Sequence, residues 1–268
     1  MHIECFKYQG TGNDFILIDN RTKSISLTTN QIQWLCNRHF GIGADGLMLL
    51  ELEPSVDFKM VYFNSDGNES SMCGNGGRCI TAFAKHLGII NINATFLAID
   101  GVHEAKIQDE LISLKMCDVR ELEVGEDYFY LNTGSPHYVK YVSNLENFNV
   151  LDEGKKIRYS QRFSEFGTNV NFIEKTNDVL CVRTYERGVE NETFSCGTGV
   201  TAAVLVAAFS GHSTHKNSCS VKTLGGNLTV TFDKVLENTF YNIWLEGPAK
   251  FVFKTIVELP VAESILVV

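Results

Sequence analysis

Met72-Cys73-Gly74-Asn75-Gly76-Gly77 and Ser195-Cys196-Gly197-Thr198-Gly199-Val200 are two versions of one phrase: a cysteine, a glycine-rich turn, then a helical pattern. The cysteines stand 123 residues apart, as do Tyr62 and Tyr185, each eleven residues upstream of its cysteine. Asn68-Glu69-Ser70 matches Asn191-Glu192-Thr193 at the same offset. Upstream, Thr11-Gly12-Asn13 echoes Thr133-Gly134-Ser135; downstream, Ile99-Asp100-Gly101 echoes Leu224-Gly225-Gly226. Landmarks in one order at a nearly constant offset mark an internal repeat of roughly 120 residues.

Working outward, each copy reads as strands around one strong helix. In the first, Ile80, Phe83, Ala84 and Leu87 follow the i, i+3, i+4, i+7 spacing, and Gly88 supplies the stop. In the second, residues 200–209 are apolar on every side and end before Gly211. A helix without a polar face has to be wrapped by its own domain. Short alternating segments at 57–63, 111–116, 227–232 and 240–245 read as strands, and their turn residues suit antiparallel hairpins better than βαβ crossovers. A more surface-like helix is expected at 29–38, ended by Gly41 and Gly43, and Asp152-Glu-Gly-Lys-Lys156 reads as a solvated loop. The expected fold class is α+β: two pseudo-symmetric domains, each a mainly antiparallel sheet curled around a central helix, with the active site in the cleft between them. The acidic stretch 118–127 sets the expected division, 1–118 and 119–247.

Composition narrows the function. The 268 residues are 44% hydrophobic and 21% charged, as in an ordinary globular protein. A net charge of −9 with scattered basic residues excludes a nucleic-acid footprint. The N-terminus carries charges where a signal peptide needs an apolar stretch, and the longest apolar run, 202–209, is too short to span a bilayer, so a cytoplasmic protein without a membrane partner is expected. The eight cysteines contain no C-x-x-C pair, and no metal site is expected. Cys117 and Cys181, in apolar surroundings, read as buried residues, whereas Cys73 and Cys196 are flanked by glycines and polar groups.

A thiol at a helix start has its thiolate favoured by the unpaired N–H groups there. The same N–H groups bind a carboxylate. A carboxylate held by the Gly74-Asn75 and Gly197-Thr198 amides places its α-carbon between two thiols. One thiolate removes the α-proton and the opposite thiol returns one, while the amides stabilise the charge that develops on the carboxylate. That chemistry inverts a carbon acid and needs neither metal nor pyridoxal cofactor. A redox pair and nucleophilic thiol catalysis are the competing readings; nucleophilic catalysis usually pairs one cysteine with a dedicated histidine.

Gly10-Thr-Gly-Asn-Asp-Phe15, Phe63-Asn-Ser-Asp-Gly67, Met72-Cys-Gly-Asn-Gly-Gly-Arg-Cys79, Gly134-Ser-Pro-His137, Tyr185-Glu-Arg-Gly188 and Ser195-Cys-Gly-Thr-Gly199 together resemble the diaminopimelate epimerase family, in family order to Gly247-Pro-Ala249. The resemblance implies interconversion of LL- and meso-2,6-diaminopimelate, on the way to lysine and peptidoglycan precursors. It implies Cys73 and Cys196 as acid/base residues, with His137 and Glu186 tuning their protonation. Substrate contacts are implied for Asn13, Asn64, Gly74, Asn75, Asn169, Glu186, Arg187, Gly197 and Thr198. It further implies that a strand near 251–257, within 248–268, completes the first domain, and that the enzyme is a homodimer. A related racemase of proline or another amino acid, or a non-catalytic amino-acid-binding homologue, is the alternative. Gly46 and Ser135 depart from the family pattern, in which some relatives have glutamine and many asparagine. Asp45 and Asp66 read as turn formers, and Arg78 as a solvated helix residue.

Overall fold

The structure, a computed structural model, describes residues 1–213 and 215–260. The chain divides into two compact units, one of Met1–Leu114 with residues 248–260, the other of Lys115–Gly247.

In the first unit the elements run β1 (His2–Gly10), β2 (Asn13–Asp19), α1 (Thr29–Cys36), β3 (Gly46–Glu51), β4 (Phe58–Asn64), α2 (Gly74–His86), β5 (Asn93–Ala98), β6 (Gly101–Gln108) and β7 (Leu111–Lys115). In the second they run β8 (Glu123–Val124), β9 (Phe129–Asn132), β10 (Pro136–Tyr141), α3 (Val150–Arg158), β11 (Asn169–Thr176), β12 (Val179–Glu186), β13 (Asn191–Thr193), α4 (Gly197–Phe209), β14 (Ser218–Thr223), β15 (Gly226–Leu236) and β16 (Thr239–Pro248). The chain then returns as β17 (Lys250–Glu258), which lies antiparallel to β1 in the first unit. Residues 261–268 of the expected closing segment lie outside the described residues. The change of unit at Leu114/Lys115 comes four residues before the expected division. Hydrogen bonding draws it there: the Met116 N–H donates to the Ile243 carbonyl at 2.9 Å, and Val119 bridges Phe240.

The class is α+β with a mixed sheet. Hairpin pairings are antiparallel, as the alternation predicts, but each helix also carries the chain between two parallel strands. Those pairs are β2 with β3 across α1, β4 with β5 across α2, β10 with β11 across α3, and β12 with β14 across α4. These are crossovers of the kind that the strand pattern argued against. The polarity of strands separated by a helix is set by how the helix packs back on the sheet, which alternation does not encode.

The central helices follow their sequences closely. In α4, Val200 and residues 202–207 are wholly buried, which is the wrapping that its all-round apolar surface requires. Each such valine or leucine contributes roughly 1.5–3 kcal/mol against exposure. Both helices end alike: Gly88 and Gly211 take positive φ (71° and 74°), and the next N–H reaches back five residues, Ile89 to Ala84 and His212 to Ala207.

Three expectations are corrected. Residues 152–156 form the middle of α3 and not a loop. Asn149 caps the helix through the Asp152 N–H, Asp152 and Glu153 occupy its first turn, and Lys155, Lys156 and Arg158 its last, which complements the helix dipole at both ends. Gly154 is there for space, since a Cβ would stand 2.4 Å from the Tyr185 Cβ. Cys117 is exposed and Cys181 only half-buried, while Cys5, Cys36, Cys79 and Cys219 are buried. Arg78 is fully buried.

Candidate active site

In the first unit Cys73 is the N-cap of α2, in extended backbone (φ −105°, ψ 150°), and its Sγ accepts the Gly76 N–H at 3.2 Å. The turn thus already offers an N–H to a charged sulfur. Asn13, opening β2, presents its Oδ1 to the same group: the Asn75 Nδ2 donates to it at 3.3 Å, and the Cys73 thiol lies 3.9 Å away. The orientation of that amide is set from behind, because Asn13 Nδ2 donates to the Asp45 carboxylate at 2.6 Å. Asp45 in turn receives Arg38 at 2.7 Å, so it is a support for Asn13 and not merely a turn former. Asp66 does form a turn, accepting the Asn68 N–H at 2.9 Å. Asp14 lies between Lys7 and Arg38, each at 2.7 Å, and the buried Lys7 ammonium also donates to the Gly43 carbonyl.

Beneath the Cys73 turn sits Arg78. It donates to the Gly74 carbonyl (3.1 Å), the Asn75 Oδ1 (3.0 Å), the Thr11 hydroxyl (3.1 Å) and the Pro248 carbonyl (3.4 Å). Burial pulls the guanidinium down to about 10, with Cys79 and Cys73 acting in the opposite sense, so at neutral pH it remains a cation. Asn64, at the end of β4, is half-buried and stands across from Gly46 in the β3–β4 register. Gly46 has no room for a side chain: a Cβ would lie 2.6 Å from Tyr62 and 2.7 Å from the Phe63 carbonyl.

In the second unit Cys196 is the N-cap of α4 (φ −115°, ψ 112°) and is 7% exposed. Its Sγ lies 3.5 Å from the Thr198 hydroxyl, and the Thr198 carbonyl accepts the Thr133 hydroxyl at 2.8 Å. A second cluster gathers at the ends of β10, β11 and β12. The Asn169 Oδ1 accepts the Arg187 N–H at 2.9 Å, and its Nδ2 donates to the Ser135 Oγ at 3.1 Å. The Arg187 guanidinium donates to the Phe166 carbonyl (2.8 Å) and to the same Ser135 Oγ (3.4 Å). The short serine therefore serves as the node joining Asn169 to Arg187. Glu186 accepts the Thr193 hydroxyl at 3.0 Å. His137 is wholly buried on β10, and burial first, then the Arg187 cation, hold it down at about 3.

The structure thus groups Asn13, Cys73, Gly74 and Asn75 at one helix start, and Cys196, Gly197 and Thr198 at the other, with Asn169 and Arg187 joined through Ser135. Sequence reasoning missed Asp45, Arg78 and Thr133 as supports. The repeat carried a signal for the last, since Thr133 is the counterpart of Thr11 in the echo of Thr11-Gly12-Asn13. Among the described residues no group of three or more His, Cys, Asp or Glu is placed to hold a metal ion. No helix among them is long and apolar enough to cross a membrane.

A duplicated α+β chain with a cysteine capping the central helix of each half belongs to a recognisable architecture. A solved phenazine biosynthesis protein of the PhzF family from Bacillus anthracis matches it with a TM-score of 0.73 at 16% identity, covering 97% of this chain and 100% of that one. At that identity the likeness concerns the fold alone. The chain belongs to the diaminopimelate epimerase family, whose model matches residues 5–120 and 129–252. Relatives include the diaminopimelate epimerases of Flavobacterium psychrophilum, 54% identical over 94% of this chain and 99% of that protein, and of Chlorobaculum tepidum, 43% identical over 93% and 99%.

Proposed function

We propose that this chain interconverts LL- and meso-2,6-diaminopimelate, a step towards lysine and peptidoglycan precursors, by a two-base reaction of Cys73 and Cys196. The observation that carries the reading is the cysteine at the N-cap of the central helix in both halves of a chain of this family. The thiolate of one cysteine takes the α-proton, and the thiol of the other delivers a proton to the opposite face. The amides of Gly74-Asn75 and Gly197-Thr198 hold the α-carboxylate. As the proton leaves, charge moves onto that carboxylate and those hydrogen bonds strengthen. Arg187 suits the distal carboxylate and Glu186 the distal ammonium. Asn13, Asn64 and Asn169 complete the polar contacts, and His137 and Glu186 shape the protonation of the thiols.

Incubation with LL-diaminopimelate in D2O is expected to give the meso isomer carrying deuterium at the α-carbon. Absence of both inversion and exchange in the reduced enzyme would overturn the reading, and full activity of Cys73→Ala or Cys196→Ala would remove the two-base scheme. A panel containing proline separates the related racemase, since proline has no distal groups for Arg187 and Glu186 to hold. The same reading makes the protein a cytoplasmic homodimer. In its support, β17 leaves Phe251, Val252, Phe253 and Ile256 exposed to solvent. A monomeric mass across the micromolar range would refute the dimer.

A further inference from the structure

His137 stands in a hydrogen-bond chain whose direction can be read from one atom. The Asn171 Nδ2 lies 3.0 Å from the Tyr138 carbonyl oxygen, and a carbonyl can only accept. The amide nitrogen is therefore on that side, and the Asn171 Oδ1 faces the Thr184 hydroxyl, which donates to it at 2.9 Å. The same Nδ2 lies 3.1 Å from the His137 Nδ1 and gives that ring nitrogen its second hydrogen. A nitrogen that accepts carries no proton, so the neutral ring bears its proton on Nε2. That Nε2–H is buried and has no partner among the described residues. An unpaired buried donor is destabilising, and an incoming acceptor removes that cost.

Asn171 itself is locked. It is wholly buried on β11 and stands directly across from Thr184 on β12. It also lies against the Cys196 turn, because a Cβ on Gly199 would stand 2.3 Å from the Asn171 Oδ1. The amide thus ties the first turn of α4 to the histidine.

We propose that Asn171, backed by Thr184, is a positioning residue that holds His137 in its Nε2–H form, so that His137 serves at the Cys196 turn as a neutral hydrogen-bond donor to an anion and does not itself exchange a proton with the substrate. The inference rests on the epimerase reading for what that anion is: the Cys196 thiolate or the substrate carboxylate. Asn171 on β11 meets the ring directly and Thr184 on β12 stands behind that amide, while Cys196 caps the helix whose first turn lies against Asn171, and Glu186 closes β12 with Arg187 next in the chain. Arg187 is the cation that opposes ring protonation.

The test reads the ring directly, by nitrogen NMR of the histidine-labelled free protein, with His137→Gln assigning the signal. We expect Nδ1 bare and Nε2 protonated, unchanged between about pH 5.5 and 8.5. A proton on Nδ1, or titration of the ring inside that window, overturns the proposal. In Asn171→Leu the Nδ1 donor is gone. The ring should then populate both forms, and kcat should fall roughly tenfold (about 1.4 kcal/mol), with a smaller change in KM. A spectrum and kcat like those of the parent refute the lock. Thr184→Val, which removes only the support of the amide, should move both readouts in the same direction by less, and serves if Asn171→Leu does not fold. A slower alkylation of Cys196 in the free variants identifies the thiolate as acceptor; unchanged alkylation with weaker binding of a diaminopimelate analogue identifies the carboxylate. Because the ring is read without substrate, an inactive protein with a locked ring counts against the epimerase reading alone. An active protein with an unlocked ring counts against this proposal alone.

Discussion

Gly76 and Gly199 occupy the same place in the two halves, and the residues above them, Met48 and Asn171, are also repeat partners at the 123-residue offset. Alanine at each position tests whether the second half is held more rigidly than the first. At Gly76 the added Cβ meets the Met48 Cε at 2.7 Å and the Cys73 Sγ at 3.2 Å. The thioether end of methionine can swing aside for under about 1 kcal/mol. Replacing a helical glycine returns up to ~1 kcal/mol, so Gly76→Ala should be near neutral in stability. At Gly199 the Cβ meets the Asn171 Oδ1 at 2.3 Å. That amide is tied to Thr184, Tyr138 and His137 and cannot retreat without breaking those bonds. Overpacking costs about 1–3 kcal/mol, and the strained or lost bonds add roughly 0.5–1.5 kcal/mol each. After the helix gain, Gly199→Ala should be less stable than Gly76→Ala by about 2–4 kcal/mol. That corresponds to a Tm difference of roughly 4–16 °C. Thermal and urea unfolding of the two variants side by side measure it. Equal midpoints, or a higher midpoint for Gly199→Ala, would refute the claim that Asn171 is locked.

Two further outcomes follow from the first half. Asp45→Ala removes the acceptor that orients the Asn13 amide, so KM for diaminopimelate should rise about tenfold (~1.4 kcal/mol) with little change in Tm, because the Arg38–Asp45 pair is largely exposed; an unchanged KM would show that Asn13 needs no such support. Burial acts to raise the Asp14 carboxyl, but hydrogen bonds and charge from Arg38 and Lys7 outweigh it and hold the group at about 2. Its folded value is thus below the unfolded value of ~3.9, so its stabilisation is present above about pH 4 and lost as pH falls towards about 2. The urea midpoint of Asp14→Asn should lie below the parent at pH 7 and converge with it across that window; a constant gap would refute the assignment.

What the chain alone determined was whatever local pattern and repetition encode. The two helix-capping cysteines, the paired stops at Gly88 and Gly211, the burial of α4 and most strand segments follow from spacing and turn chemistry within a few residues of each other. The repeat then supplied the duplicated fold, and six motifs in order supplied the family. α3 escaped this reading because its inward face includes a glycine, Gly154, whose role is to admit Tyr185 from another element. Arg78 looked solvated because its acceptors, Thr11, Asn75 and the Gly74 and Pro248 carbonyls, are drawn partly from distant parts of the chain.

Tertiary structure alone decided the parallel crossovers and which polar atom faces which. Asp45 turns the Asn13 amide, Ser135 joins Asn169 to Arg187, and Tyr138 and Thr184 orient Asn171 and through it His137. The physical reason is range. Helix starts and stops are settled by neighbours along the chain, whereas the orientation of a side-chain amide or an imidazole depends on acceptors brought up by other strands, and no residue pattern records which ones arrive.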